Sequence, residues 1–203
     1  SRVDNRLDLH YPLRRRRQMC IGDGIWREVF IGVAKKNGKS LLASAIMAYM
    51  AYMAGEYGAD IYCLAPKLDQ AKIVFESFHQ MVKQERELSE LAHKRRSDIY
   101  IDESNTTIMP LAFNAKKSDG FNPPLVVNDE LASWHGDGGV KQYEVMKSAL
   151  GSRSQPLILS ISTAGYENDG IYDELMMRST SFLKGNSKER RLLPFLYIID
   201  DVE

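Results

Sequence analysis

Gly38, Lys39 and Ser40 have the types and order of residues that bind the phosphates of a nucleotide. In such loops the glycine lets the backbone approach the phosphates, the lysine reaches the β and γ phosphates, and the hydroxyl ligates Mg²⁺. In the common pattern G-x-x-x-x-G-K-[ST], the first glycine would stand at position 33, where this chain has Val33. Taken alone, the tripeptide leaves two interpretations open, a nucleotide site with an altered front end and a chance helix start.

A second group of candidate residues is the acidic pair Asp129 and Glu130, which ends the apolar run "LVVNDE". An aspartate there can hold Mg²⁺ beside a phosphate loop, and a glutamate can orient and deprotonate an attacking water. Two solvated acids at a strand end are the alternative interpretation. An aspartate alone would also fit a kinase or a GTPase, and the adjacent Glu130 favours hydrolysis with the protein's own base. Asn128 departs from the apolar residue expected before the pair.

The segment "SISTAG" (160–165) is the third candidate, because it also leaves an apolar run. Small hydroxyl side chains at a strand end can hydrogen-bond a γ-phosphate or a catalytic carboxylate. A Ser/Thr-rich strand end is common, so this segment gains meaning only from its place after the other two.

Strands that alternate with helices must position these three groups. Apolar residues at a helical period predict helices over 39–54, from 71 to 82, from 140 to 150 and near 170–184. Short β-rich runs predict strands at 27–34, 59–66, 124–130, 156–163 and 195–200, with a hairpin at 98–113. The alternation predicts an α/β fold with a mainly parallel sheet covered on both faces. The length of 203 residues suits a single domain over 1–203.

Composition excludes some classes of protein. The formal net charge is zero, so no overall basic field indicates a nucleic-acid partner. Cys20 and Cys63 lie far apart, without neighbours at metal-ligand spacing, which predicts two isolated thiols in a reducing cytosol. No apolar run approaches the roughly 18 residues of a membrane span, and the expectation is a cytosolic chain without membrane contact.

Four segments in order resemble one family. They are "AKKNGKS", "IYCLAPKLDQAKIVFESFHQMV", "SDGFNPPLVVNDELA" and "SRSQPLILSISTAG". They are similar to the ATPase domain of the large subunit of tailed-phage terminases, the ATP-driven motor that packages DNA into procapsids. That family's phosphate loop lacks the early glycine, so Val33 fits it. The resemblance implies a three-layer P-loop NTPase fold with an additional strand between the phosphate-loop and acidic strands, a strand that 59–66 could supply.

The resemblance also implies roles for single residues. ATP and Mg²⁺ would bind with the metal between Ser40 and Asp129, and with Glu130 as the base. Ser162, Thr163 and Ala164 would belong to the motif that couples hydrolysis to movement. Relatives usually carry arginine where this chain has Lys35, which keeps the charge but loses the planar fork. The residues expected to contact the nucleotide are Gln18, Ala34, Lys35, Lys36, Asn37, Gly38, Lys39, Ser40 and Thr163.

A ring motor often completes each site with an arginine from the neighbouring subunit. Arg153 is the candidate for this catalytic role, with Arg95 or Arg96 as alternatives, and surface charge is the competing interpretation for each. The implied partners are double-stranded DNA, a portal protein and a terminase small subunit. The implied assembly is a pentameric ring in the host cytoplasm, with the isolated domain monomeric. The family's C-terminal nuclease domain is not expected in this chain.

Three other functions remain open on the sequence. A helicase-like or packaging ATPase of another lineage would share the loop and the acidic pair. A module that holds nucleotide or DNA without turnover would explain the lost glycine. A phosphoryl-transfer kinase is disfavoured by Glu130.

Overall fold

The structure, a computed structural model, describes residues 26–54, 56–113, 121–165 and 169–197. Within these residues one sheet has eight strands in the order β3-β4-β5-β2-β6-β7-β1-β8. The six strands from β5 to β8 in that order are parallel, while β3, β4 and β5 pair antiparallel. The strands are β1 (Glu28–Val33), β2 (Asp60–Ala65), β3 (Ala92–Lys94), β4 (Ile99–Ile101), β5 (Thr106–Ala112), β6 (Leu125–Asn128), β7 (Leu157–Ser162) and β8 (Leu192–Tyr197).

Helices cover both faces of this sheet. They are α1 (Lys39–Tyr52), α2 (Leu68–Gln84), α3 (Arg86–Glu90), α4 (Gly136–Ala149) and α5 (Ile171–Leu183). Neighbouring strand residues point to opposite faces. Ile31 therefore belongs to the same buried cluster as Met47 of α1 and Phe78 of α2, and Phe30 belongs to the cluster on the other face, with residues of α4 and α5. The result is the three-layer architecture that the alternating pattern predicts. No helix in the described ranges is long and apolar enough to cross a bilayer.

The strand between the phosphate-loop strand and the acidic strand is β7, which pairs with β1 on one side and β6 on the other. An additional strand at this place is confirmed, but the prediction that 59–66 supplies it is wrong. That segment forms β2, which lies on the far side of β6. The helix that joins two parallel strands can carry the chain past intervening positions, so order along the sequence does not fix order in the sheet.

The hairpin predicted at 98–113 is present as β4 and β5, with Asn105 in a left-handed turn conformation. Two elements were not predicted, α3 and β3, both in the charged stretch 83–96. Charged side chains in this stretch interrupt the apolar pattern by which helices and strands are predicted. Such side chains are common on an edge strand, and β3 is an edge strand of this sheet. The last strand begins at Leu192, three residues before the predicted start, and 198–200 lie outside the described residues.

The amino end of β1 is held by a buried ionic network around Glu28. Its carboxylate accepts hydrogen bonds from Arg178 (2.9 and 3.2 Å) and from the hydroxyl of Tyr143 (2.6 Å), and lies 3.3 Å from Lys147. Arg178 also pairs with Glu189 at 2.9 Å. Burial alone would raise the pKa of Glu28, but the hydrogen bonds from Arg178 and Tyr143 and the two positive charges outweigh it, and the pKa is lowered. The network ties β1 to α4 and α5.

Candidate active site

The three candidate segments lie on the side of the sheet formed by the carboxyl ends of its parallel strands, here called the carboxyl edge. β6, β7 and β1 are parallel neighbours, and Asp129, Thr163 and the loop before Lys39 each follow the carboxyl end of one of them. Carboxyl ends of parallel strands are where α/β folds bind ligands. The structure therefore brings together residues that lie up to 124 positions apart in the chain (39 to 163).

The loop between β1 and α1 is a preformed turn. The Asn37 side-chain amide donates to the backbone carbonyls of Ala34 (3.2 Å) and Lys35 (3.4 Å). Lys36 and Gly38 have positive φ values of 64° and 75°. Left-handed residues that alternate in this way can turn backbone N–H groups inward, and a concavity of that kind at a helix start is suited to bind an anion. All residues from Ala34 to Gly38 are exposed, so this concavity is open to solvent.

Lys39 begins α1 and is buried, with an exposed fraction of 9%. Its positive charge acts on Asp129. Ser40 follows it, half-buried, and its carbonyl accepts a hydrogen bond from Ser44 at 2.7 Å. Ser44 also bonds Ser77 of α2 at 3.0 Å, which fixes the first turn of α1 against its neighbour. The loop lysine and hydroxyl thus stand on a rigid helix end.

Asp129 is a buried carboxyl group with an exposed fraction of 5%. Burial, helped by the charge of Glu130, raises its pKa to about 6, and the Glu130 N–H and the charge of Lys39 offset part of the rise. A desolvated carboxylate of this kind is stabilised by a nearby cation. Among the described residues no cluster of three or more His, Cys, Asp or Glu could hold a metal ion. One carboxylate and one hydroxyl fit Mg²⁺, which keeps waters and phosphate oxygens as its other ligands.

Glu130 has an unusual backbone conformation, with φ 48° and ψ 51°. Its N–H donates to Asp129 Oδ1 at 2.8 Å, and its carbonyl accepts from the N–H and the hydroxyl of Ser133, both at 2.7 Å. Its carboxylate Oε2 accepts a hydrogen bond of 3.1 Å from the Thr163 hydroxyl. The left-handed backbone conformation is energetically unfavourable for residues other than glycine, and residues that adopt it cluster at functional sites. The side chain of Glu130 is thus aimed at the end of β7.

Several hydrogen bonds that the sequence did not predict fix the backbone on either side of the acidic pair. Trp134, 1% exposed, donates its indole N–H to the Asp129 carbonyl at 3.0 Å, so it supports the backbone and does not line an open site. Asn128 donates to Ser160 across the β6–β7 pair at 3.2 Å. Ser162 accepts from the Ala132 N–H (2.9 Å) and donates to the Thr163 carbonyl (2.8 Å). The only sequence signals were a polar residue in an apolar strand and the Ser/Thr run.

Arg153 lies away from this edge. It precedes β7, whose six residues span about 20 Å, so it lies near the amino ends of the parallel strands, on the side opposite the carboxyl edge. It pairs with Glu56 at 3.2 Å and donates to the carbonyls of Asn122 and Gly58. Arg153 therefore does not reach the site of its own chain, and a role at a neighbouring subunit stays a prediction. Arg95 stacks on Tyr100 and pairs with Asp98, while Gln18 lies outside the described residues.

Comparison with known proteins agrees with this arrangement. The pattern of the family described as terminase large subunit, ATPase domain, matches residues 16–180. The terminase large subunit of Lactococcus phage p2 is 23% identical over 160 residues, which cover 76% of this chain and 29% of that protein. The chain therefore spans less than a third of this relative's length.

Solved structures show the same fold. The large terminase of bacteriophage HK97 superposes with a TM-score of 0.72 at 22% identity, covering all of this chain and 41% of that one. The large terminase of a thermophilic bacteriophage, solved in complex with ADP, gives 0.60 at 12% identity, covering 90% of this chain and 42% of that one. With the family pattern matched over most of its length, the chain belongs to the family of terminase large subunits and represents their ATPase domain.

Proposed function

We propose that this chain hydrolyses ATP and that the hydrolysis drives double-stranded DNA into a procapsid. One observation carries the proposal, namely the meeting of Lys39, Asp129, Glu130 and Thr163 at the carboxyl edge of β1, β6 and β7. The ADP bound to the large terminase of the thermophilic bacteriophage supports a nucleotide as the ligand.

Each residue has a role that follows from its position. The turn 34–38, which contains Lys35, Lys36 and Asn37, presents backbone N–H groups to the phosphates, and Lys39 neutralises β and γ oxygens. Ser40 and Asp129 would hold Mg²⁺, which neutralises phosphate charge when bound. The buried, desolvated carboxylate of Asp129 suits that task because a cation removes the cost of its burial.

Glu130 is proposed as the general base that orients and deprotonates water. Its carboxylate has a second oxygen beside the one that accepts from Thr163. A group that is hydrogen-bonded on one oxygen is oriented for work with the other. Thr163, and through it β7, would sense whether Glu130 is engaged with water. Lys35, exposed in the loop, would stand in for the arginine of relatives, and Arg153 would act in trans.

The assembly is also part of the proposal. A pentameric ring around DNA, docked on a portal protein in the host cytoplasm and helped by the small subunit, is what the family implies. The chain alone would be monomeric and would not cut DNA. Plasmid cleavage by the purified chain with Mg²⁺ or Mn²⁺ would contradict the last point.

Two substitutions test the proposed chemistry, measured as steady-state ATPase with linear DNA and as binding of a fluorescent ATP analogue. Lys39→Ala is expected to weaken nucleotide binding about tenfold or more, because a hydrogen bond to a charged group contributes about 1.5–3 kcal/mol. Glu130→Gln is expected to retain binding but to lower turnover by about 10²- to 10⁴-fold, the usual contribution of a general base. Matched controls are Lys72→Ala and Glu87→Gln, on exposed helix faces. Binding without turnover in the unmodified chain, even with DNA and portal, would leave a nucleotide-binding module instead of a motor.

A further inference from the structure

The loop at the end of β7 is pressed between two other parts of the molecule. On one side is the 3-10 turn Leu131–Ser133, which follows Glu130. A Cβ atom added to Gly165 would lie 2.5 Å from the Cβ of Ala132, a distance that real Cβ atoms do not show. On the other side is α5, where the hydroxyl of Tyr172 accepts a hydrogen bond of 3.2 Å from the Gly165 N–H.

Tyr172 itself is fixed. It lies in the first turn of α5 with an exposed fraction of 6%, and its ring packs edge-to-face on Phe30 of β1, with centroids 6.0 Å apart. Phe30 is fully buried. The position of the Tyr172 hydroxyl is therefore fixed relative to β1, the strand that leads into the phosphate loop. The hydrogen bond from the Gly165 N–H to this hydroxyl fixes Gly165 relative to the same strand.

We propose that Tyr172 is a positioning residue for Glu130, acting through Gly165 and Thr163. This inference rests on the proposed function, since it takes Glu130 as the base. Thr163 is two residues before Gly165, and its hydroxyl holds the Glu130 carboxylate. Fixing Gly165 limits the movement of Thr163, and the contact with Ala132 limits the movement of the turn that carries Glu130.

The loop and the turn share three contacts, so they move as one unit. Thr163 bonds Glu130, Ser162 bonds the Ala132 N–H, and Gly165 packs against the Ala132 methyl group. Tyr172 adds the hydrogen bond from this unit to α5. The nucleotide loop 34–38 makes none of these contacts. Loss of the hydroxyl should therefore affect the orientation of Glu130, and hence turnover, while leaving nucleotide affinity intact.

The first test is Tyr172→Phe, which removes the hydroxyl and keeps the ring on Phe30. We expect kcat for ATP to fall about 3- to 10-fold, the rate equivalent of one hydrogen bond, with KM changed less than about twofold. Hydrogen exchange at the Gly165 amide should become faster by a similar factor. Tyr100→Phe is the matched control, because its hydroxyl bonds Asn105 in the β4–β5 hairpin at 2.6 Å, away from the site. Tyr100→Phe should change neither kcat nor the rate of hydrogen exchange at the Gly165 amide.

The second test examines the packing with Ala132. Gly165→Ala should lower kcat because the added methyl group displaces the turn. The double variant Gly165→Ala with Ala132→Gly removes the opposing methyl group and should recover kcat to within about twofold of Ala132→Gly alone. Failure of this recovery, or unchanged kcat in Tyr172→Phe, would overturn the positioning role.

The exchange measurement separates this inference from the proposed function. If the unmodified chain does not hydrolyse ATP even with DNA and portal, but Tyr172→Phe accelerates exchange at the Gly165 amide, the hydrogen bond is confirmed, and both the motor function and the positioning role of Tyr172 are wrong. If hydrolysis occurs and exchange at Gly165 is unchanged, the proposed function stands and the role of Tyr172 is wrong.

Discussion

Replacement of Arg178 by methionine is expected to destabilise the chain by about 3 kcal/mol, the lower end of what removal of one partner from a buried ion pair costs. The Glu28 side chain is 6% exposed and that of Arg178 20%, so water replaces the lost hydrogen bonds poorly. The lower end applies because Tyr143 and Lys147 still contact the Glu28 carboxylate. For a domain of this size the loss corresponds to a melting temperature lower by roughly 6–12 °C.

Arg86→Met is the matched control for this substitution. Arg86 also pairs with a glutamate at 2.9 Å, but its side chain is 89% exposed and that of Glu90 64%. Such a helix-surface pair contributes about 0.3–0.5 kcal/mol, so the melting temperature should change by less than about 2 °C. Urea and thermal unfolding followed by circular dichroism measure both variants.

The pH dependence gives an independent check with a defined sign. In the unmodified chain the pKa of Glu28 is lowered. Its contribution to stability is therefore fully present above the ordinary carboxyl pKa of 4.5 and is lost as the pH falls through the lowered value. In Arg178→Met the pKa of Glu28 is expected to be higher than in the unmodified chain, because the hydrogen bonds and the charge of Arg178 no longer lower it. The stability gap between the two proteins should therefore narrow as the pH falls through the two pKa values of Glu28. A gap that stays constant, or equal effects of Arg178→Met and Arg86→Met, would refute the reasoning.

Two further substitutions and a labelling experiment test the packing. Gly139→Ala should destabilise by about 1–3 kcal/mol in urea unfolding, because the new Cβ would lie 2.9 Å from both the Cβ and the carbonyl oxygen of Trp134. The neighbouring Gly138→Ala meets open space and should instead stabilise α4 by roughly 0.5–1 kcal/mol. Cys63 is buried, and burial, with the charge of Asp129, raises its pKa. In a Cys20→Ser variant, a thiol reagent should therefore react only at the rate of unfolding, and fast labelling under native conditions would contradict this.

The sequence predicts the layers of the fold and the edge that carries the candidate site. A helical apolar period and short β-rich runs are local signals, and parallel strands bring their carboxyl ends to one edge whatever their order. For this reason the sequence alone predicts that Lys39, Asp129 and Thr163 lie close together. The roles given to them remain predictions that the proposed substitutions test.

Contacts between distant residues were not predictable, since they leave no periodic signal. Glu28 and Arg178 are 150 positions apart, and nothing near either residue indicates their pairing. The order of β2, β6 and β7 depends on which face each crossover helix covers, not on sequence order. Gly165 looks like any loop glycine until the methyl group of Ala132 is placed beside it.

The left-handed backbone of Glu130 sets stability against activity at one position. A glutamate at φ 48° stores on the order of 1 kcal/mol or more, which an asparagine, more tolerant of this region, would partly release. Screening for heat-resistant variants would therefore enrich Glu130→Asn, a protein that melts later and lacks the proposed base. Glu130→Gln keeps the strain and the side-chain length. Glu130→Gln is therefore the better substitution for trapping an unhydrolysed nucleotide complex, because its backbone keeps the strained conformation of the unmodified chain.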